Sequence, residues 1–130
     1  MSKSIFLIDA DAIGTDAILK VCEYVREHKN ITAYFAHNQN NQTTTSILSQ
    51  VCSERIRKLG CPNYKQSADM GLSFMLGAEL ATNMQNIDTV KLFSNDKTLK
   101  RNVRWLCNIN KLEFSHSYIS AITKQSITFH

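Results

Sequence analysis

The amino-acid sequence predicts an α/β fold, a three-layer α/β/α sandwich on a mostly parallel sheet. Three observations lead there. Short runs of apolar, β-branched and aromatic residues at positions 5–8, 31–35 and 89–93 read as strands. Segments with apolar residues three and four apart lie between them and read as helices. The two kinds of segment alternate along the chain, as in βαβ units with right-handed crossovers.

Taken in order, residues 5–8 are apolar on both faces, the mark of a buried strand, and they end at Asp9 with Asp11 two further on. Thr15 or Asp16 caps a helix that carries Ile18, Val21, Cys22 and Val25 on one face and runs out at residues 28–30. Residues 31–35 form the second strand. Residues 37–45 are almost all amides and hydroxyls and read as a polar loop. Ser46 opens a helical stretch with Ile47, Leu48, Val51, Ile56 and Leu59, broken at residues 60–63, after which residues 64–66 suit a short strand. Ser67 or Ala68 starts the strongest helix, whose apolar face is read as Met70, Phe74, Leu76, Gly77, Leu80 and Ala81. Residues 83–88 form a turn and residues 89–93 a strand ending at Ser94-Asn95-Asp96. The next helix turns Leu99, Val103, Leu106 and Cys107 inward and Lys100, Arg101 and Arg104 outward. Residues 112–114 suit another strand, and residues 126–129 alternate like an edge strand.

With 130 residues, 43% apolar and 20% charged, the chain reads as one globular domain, residues 1–130. No apolar run approaches the roughly 18 residues of a membrane span. The N-terminal run is too short for the core of a signal peptide, so a cytoplasmic location without membrane association is expected. The excess of 15 basic over 11 acidic residues suits a nucleic-acid partner without requiring one. Cys22, Cys52, Cys61 and Cys107 form no CxxC pair and read as reduced thiols, mostly buried. Gly-rich phosphate loops are absent.

The acids carry the chemistry. Asp9, Asp11 and Asp96 fall where a strand hands over to the next segment, and Asp69 falls in the first turn of a helix. In an open parallel sheet all four lie at the carboxyl end, where ligands bind. The other seven acids, Glu23 and Glu27 among them, read as surface residues or caps. Two carboxylates 4 Å apart repel by about 4 kcal/mol at an effective dielectric near 20. A cluster of them takes up protons or binds a cation. All-oxygen ligation selects Mg2+ or Mn2+, and such an ion suits phosphodiester hydrolysis.

The stretches Phe6-Leu7-Ile8-Asp9-Ala10-Asp11-Ala12, Ser67-Ala68-Asp69-Met70-Gly71-Leu72 and Leu92-Phe93-Ser94-Asn95-Asp96-Lys97 resemble the PIN-like nucleases, the NYN branch in particular. The spacing and order agree over roughly residues 4–108, including the strand at 31–35 and the polar stretch after it. The resemblance implies a parallel-sheet α/β/α sandwich and a Mg2+- or Mn2+-dependent endonuclease, usually acting on RNA. Asp9, Asp69 and Asp96 match the metal-binding, catalytic acids, and Asp11 stands near a position where some branches place a further acid. Two departures stand out. Gly71 precedes Leu72, and Thr98 occupies a position where many relatives carry one more aspartate.

Residues 97–111 hold five basic side chains, Lys97, Lys100, Arg101, Arg104 and Lys111, and no acid. They offer phosphate contacts, Lys97 foremost because it adjoins Asp96. Ser94 and Asn95 are candidates to position the water or phosphate. Arg55, Arg57, Lys58 and Lys65 form a second basic group, and Trp105 reads as core or interface. A homodimer through an exposed sheet edge is possible on this reading. Other assignments are a catalytically weak nucleic-acid-binding or assembly module, or a haloacid-dehalogenase-like phosphatase with Asp9 as nucleophile. The absence of any aspartate between Asp16 and Asp69 argues strongly against a receiver domain.

Overall fold

The computed structural model of the chain describes residues 3–63, 67–83 and 86–117. Five strands and four helices alternate: β1 (Lys3–Asp9), α1 (Thr15–Glu27), β2 (Ile31–Asn38), α2 (Gln42–Ser49), β3 (Ile56–Cys61), α3 (Ser67–Asn83), β4 (Ile87–Phe93), α4 (Lys97–Ile109) and β5 (Glu113–Ser117). The sheet runs in the order β3-β2-β1-β4-β5, and every pairing is parallel. The α/β sandwich expected from the sequence is therefore present.

Alternation along β1 divides the core. Phe6 and Ile8 pack with α1 and α2 residues such as Ile18, Val21, Val25 and Leu48. Ile5 and Leu7 pack with Leu72, Leu76 and Leu80 of α3 and Leu99, Val103 and Cys107 of α4. The chain steps from β1 to β2 to β3, then returns across the sheet to β4 and continues to β5. Right-handed crossovers in opposite directions place the helices on opposite faces. The reversal falls between β1 and β4, a topological switch point.

Several expectations are corrected. The helix read from Ser46 onward is two elements. α2 begins earlier, at Gln42, because Asn41 caps it by accepting from the Thr44 N–H at 3.2 Å. Ile56 and Leu59 belong to β3, which completes the open edge of β2 instead of extending a helix. The four residues between Val51 and Ile56, none of them apolar in step with the helical stripe, already broke it. His37 is buried in the last turn-ward part of β2, not in a loop. β4 starts at Ile87, inside the stretch read as a turn. On α3, Met70, Phe74, Gly77 and Ala81 face solvent, while Leu72, Leu76 and Leu80 enter the core. This helix is apolar nearly all round, so periodicity had little to choose by. The strands proposed at residues 64–66 and 126–129 lie outside the described residues.

One acid read as surface is buried. Glu79 on α3 is 4% exposed and accepts from the Tyr34 hydroxyl at 2.6 Å and from Lys3 Nζ at 3.2 Å. Burial pushes its carboxyl up, but the bonds from Tyr34 and Lys3 outweigh that and hold it below the usual range. All four cysteines are free, with Cys52 exposed and the other three buried. Among the described residues no helix is long and apolar enough to cross a membrane.

Candidate active site

The switch point gathers the acids. Asp9 ends β1, opposite Ala36 of β2, and Asp96 follows β4 on the other side of the crevice. In step with Ile5 and Leu7, Asp9 falls on the face covered by α3 and α4. Burial raises its carboxyl to about 6, and the charges of Asp11 and Asp96 add to the rise, against a lowering bond from the Asp11 N–H. Asp69 stands in the first turn of α3. Its carboxyl lies beside that of Asp96, and both line one cleft.

Two carboxyl groups at one site do not both ionise readily, and one of them keeps its proton. Burial first, then the bond and charge of Asp96, push Asp69 up to about 7. Asp96 moves the other way. As N-cap of α4 it accepts the Leu99 N–H at 2.8 Å, which holds it below its ordinary range together with the bond from Asp69. The pair therefore holds its proton on Asp69 and its negative charge on Asp96.

Asp11 is oriented differently. One carboxylate oxygen accepts the Asn38 N–H and the other accepts Asn41 Nδ2 at 2.9 Å. It ties the turn after β1 to the turn after β2, and Asn41 caps α2 at the same time. Asn38 extends the tie by donating its side-chain amide to Asn63 at 2.6 Å. The sequence reading passed over Asn38 and Asn41 as members of a polar loop; the cap position three residues before Thr44 was the available signal.

Ser94 is fully buried. Its Oγ accepts the Asp96 N–H at 3.1 Å, and its carbonyl accepts His116 Nε2–H from β5. It shapes the turn that presents Asp96, rather than lying open to a substrate. His116 was not singled out in the sequence. Burial lowers its pKa, and the charges of Lys100 and Arg104 add to that against the bond to Ser94, which raises it. Asn95 is exposed beside this turn. Gly71 has a packing reason: a Cβ there would stand 2.8 Å from Leu59 Cδ2 and 3.1 Å from Cys61 Sγ. The glycine lets the start of α3 lie close on β3.

Lys97, Arg101 and Arg104 are exposed and Lys100 is half-buried. Their spacing sets them along one flank of α4. Arg104 lies 5.6 Å from the Phe114 ring centroid, which places that flank toward β5. The second basic group does not form a comparable track. Arg55 donates through Nη1 to the carbonyls of Val25, His28 and Ile31, closing the end of α1 onto β2. Lys58 donates to the Leu48 and Val51 carbonyls at 3.0 and 2.9 Å, satisfying the end of α2. Arg57 lies over the Tyr34 ring, and Lys65 is outside the described residues. Trp105, read as core or interface, is 61% exposed and is not core.

A cleft of about 680 Å3 runs between α3 and α4, with Asp69 and Asp96 among its lining residues. As placed, no three His, Cys, Asp or Glu side chains among the described residues form a group that would hold a metal ion. The donor chemistry nevertheless suits a hard cation, since Asp69 and Asp96 stand side by side and Asp9 feels the charge of Asp96. The sequence matches no family model and no curated protein.

Proposed function

We propose that this protein is a metal-dependent endonuclease that hydrolyses phosphodiester bonds, with RNA as the substrate. The observation that carries the reading is that Asp69 and Asp96 line one cleft, with Asp9 at the end of β1 close enough to feel the charge of Asp96. The resemblance of the three acidic motifs to PIN-like nucleases points the same way. Asp69, Asp96 and Asp9 would hold Mg2+ or Mn2+. Such an ion, when bound, neutralises a phosphate oxygen and acidifies a water for in-line attack.

The chain's own residues supply the rest. Displacing the proton on Asp69 leaves both Asp69 and Asp96 ionised. Asp11, with both oxygens engaged, keeps the β1 and β2 turns in register so that Asp9 holds its place. Ser94, buttressed by His116, fixes the backbone that presents Asp96. Lys97 and Arg101, on the exposed flank of α4, would meet backbone phosphates beside the acids.

The test is cleavage of single-stranded and structured RNA with Mg2+ and Mn2+, with EDTA and Asp9→Asn as controls. Cleavage that both controls abolish is the expected result. Folded protein that cleaves neither RNA nor DNA with either ion refutes it. Thr98 in place of a further acid favours a second reading, a nucleic-acid-binding module without activity. That reading gains if RNA is bound but never cut.

A further inference from the structure

We infer that the cleft between α3 and α4 is a base-binding subsite, in which Phe74 and Met70 hold an unpaired RNA base beside the scissile phosphate. The inference rests on the nuclease reading for the identity of its occupant. It begins with an anomaly of exposure. Phe74 is 83% exposed and Met70 72%, on the helix that otherwise buries Leu72, Leu76 and Leu80. Both line the cleft, together with Asp69, Asp96, Thr98 and Asn102.

The surroundings favour a nucleotide over an apolar partner. The cleft starts at the acids, and α4, which forms its other wall, carries Lys97, Lys100, Arg101 and Arg104 on the flank away from it. No acid occurs on α4 itself. A ligand lying over the head of this helix meets cations on one side and an aromatic slot on the other. A single nucleic-acid strand has that division, with anionic phosphates along one edge and apolar base faces along the other. The slot stays open one turn beyond Phe74, where even a Cβ on Gly77 would meet nothing within 4 Å. The Asn102 and Thr98 side chains offer hydrogen-bonding groups to a base edge, while the ring of Phe74 accepts any base face. Preference for single strands over duplexes follows, because a paired base does not reach the slot.

The probe is a fluorescent single-stranded RNA oligomer, titrated by anisotropy in EDTA so that cleavage cannot intervene. Phe74→Ala should weaken binding about 10-fold, within the range measured when an aromatic stacking partner is lost. Phe74→Trp should keep it. A fully abasic oligomer of the same length should bind wild type and Phe74→Ala alike, since only phosphates remain. Thermal melting should report an unchanged fold, as Phe74 is exposed. Equal binding of RNA by wild type and Phe74→Ala overturns the inference, and so does an equal loss on the abasic strand. Tighter binding of the matching DNA strand overturns the assignment to RNA. Sedimentation provides a further arm: if Phe74→Ala dissolves a dimer and leaves RNA binding intact, the face joins two copies and the inference falls. Binding is read without metal and cleavage with it, so the two readings fail separately. Base-dependent binding without cleavage removes only the nuclease, and cleavage indifferent to Phe74 removes only the subsite.

Discussion

Asp69→Asn should stabilise the metal-free protein at neutral and mildly alkaline pH. The amide keeps the shape of the carboxyl, but it removes a titration. In the folded chain Asp69 is raised from 3.8 to about 7. Below the unfolded value both states are protonated and the group contributes nothing. Above it the unfolded chain releases the proton while the folded chain retains it, so stability falls as pH rises, until the folded group also ionises. The loss accumulates between about pH 4 and 7 and stays constant beyond. At about 1.4 kcal/mol per pH unit the whole rise would be worth about 4 kcal/mol. Asp69 is half-exposed and screened, and Asp96, lowered beside it, offsets part of it. A net effect of about 1 to 2 kcal/mol is expected. For a chain of this size that is a Tm gain of roughly 3 to 10 °C for Asp69→Asn. Thermal melts in chelator from about pH 4 to 8 measure it, with the two proteins converging at the acid end. Mg2+ or Mn2+ should then raise the Tm of wild type more than that of the variant. A variant no more stable than wild type near pH 8, or a difference that does not shrink toward pH 4, refutes the account of the pair.

Two further outcomes concern residues outside the acids. Arg55→Ala should lower stability by about 2 to 4 kcal/mol in urea unfolding, because it leaves three carbonyls without their charged donor, while RNA affinity stays unchanged. A loss of affinity without loss of stability would return Arg55 to the phosphate-binding set. Gly77→Ala should raise stability by about 0.5 to 1 kcal/mol, since the helix gains a better former and its Cβ meets open space. Destabilisation there would mean that the cleft is narrower than described.

Much of the fold was legible in the sequence. The buried run ending at Asp9, the helix carrying Val21 and Val25, and the strand ending at Phe93 are local signals, and the structure keeps them. The region from Ser46 to Cys61 was not legible, because β3 exists through its pairing with β2 and only Ile56 and Cys61 are buried in it. The inward face of α3 was hidden by a helix apolar on every side. Glu79 looked like a surface acid because its partners, Lys3 and Tyr34, come from distant strands.

The sequence by itself determined which acids stand at segment ends, since strand and helix periodicity are local and an aspartate after an apolar run marks a strand's carboxyl end. Tertiary structure decided what each of them does. The strand order put Asp9 and Asp96 on the two sides of a reversal in the sheet, which no local pattern encodes. The fold set Asp69 of α3 beside Asp96 after β4, so that their proton affinities split. The hydrogen bonds from Asn38 and Asn41 turned Asp11 into a tie between two turns. Charge repulsion and burial act through space, and only the folded chain fixes the distances over which they act.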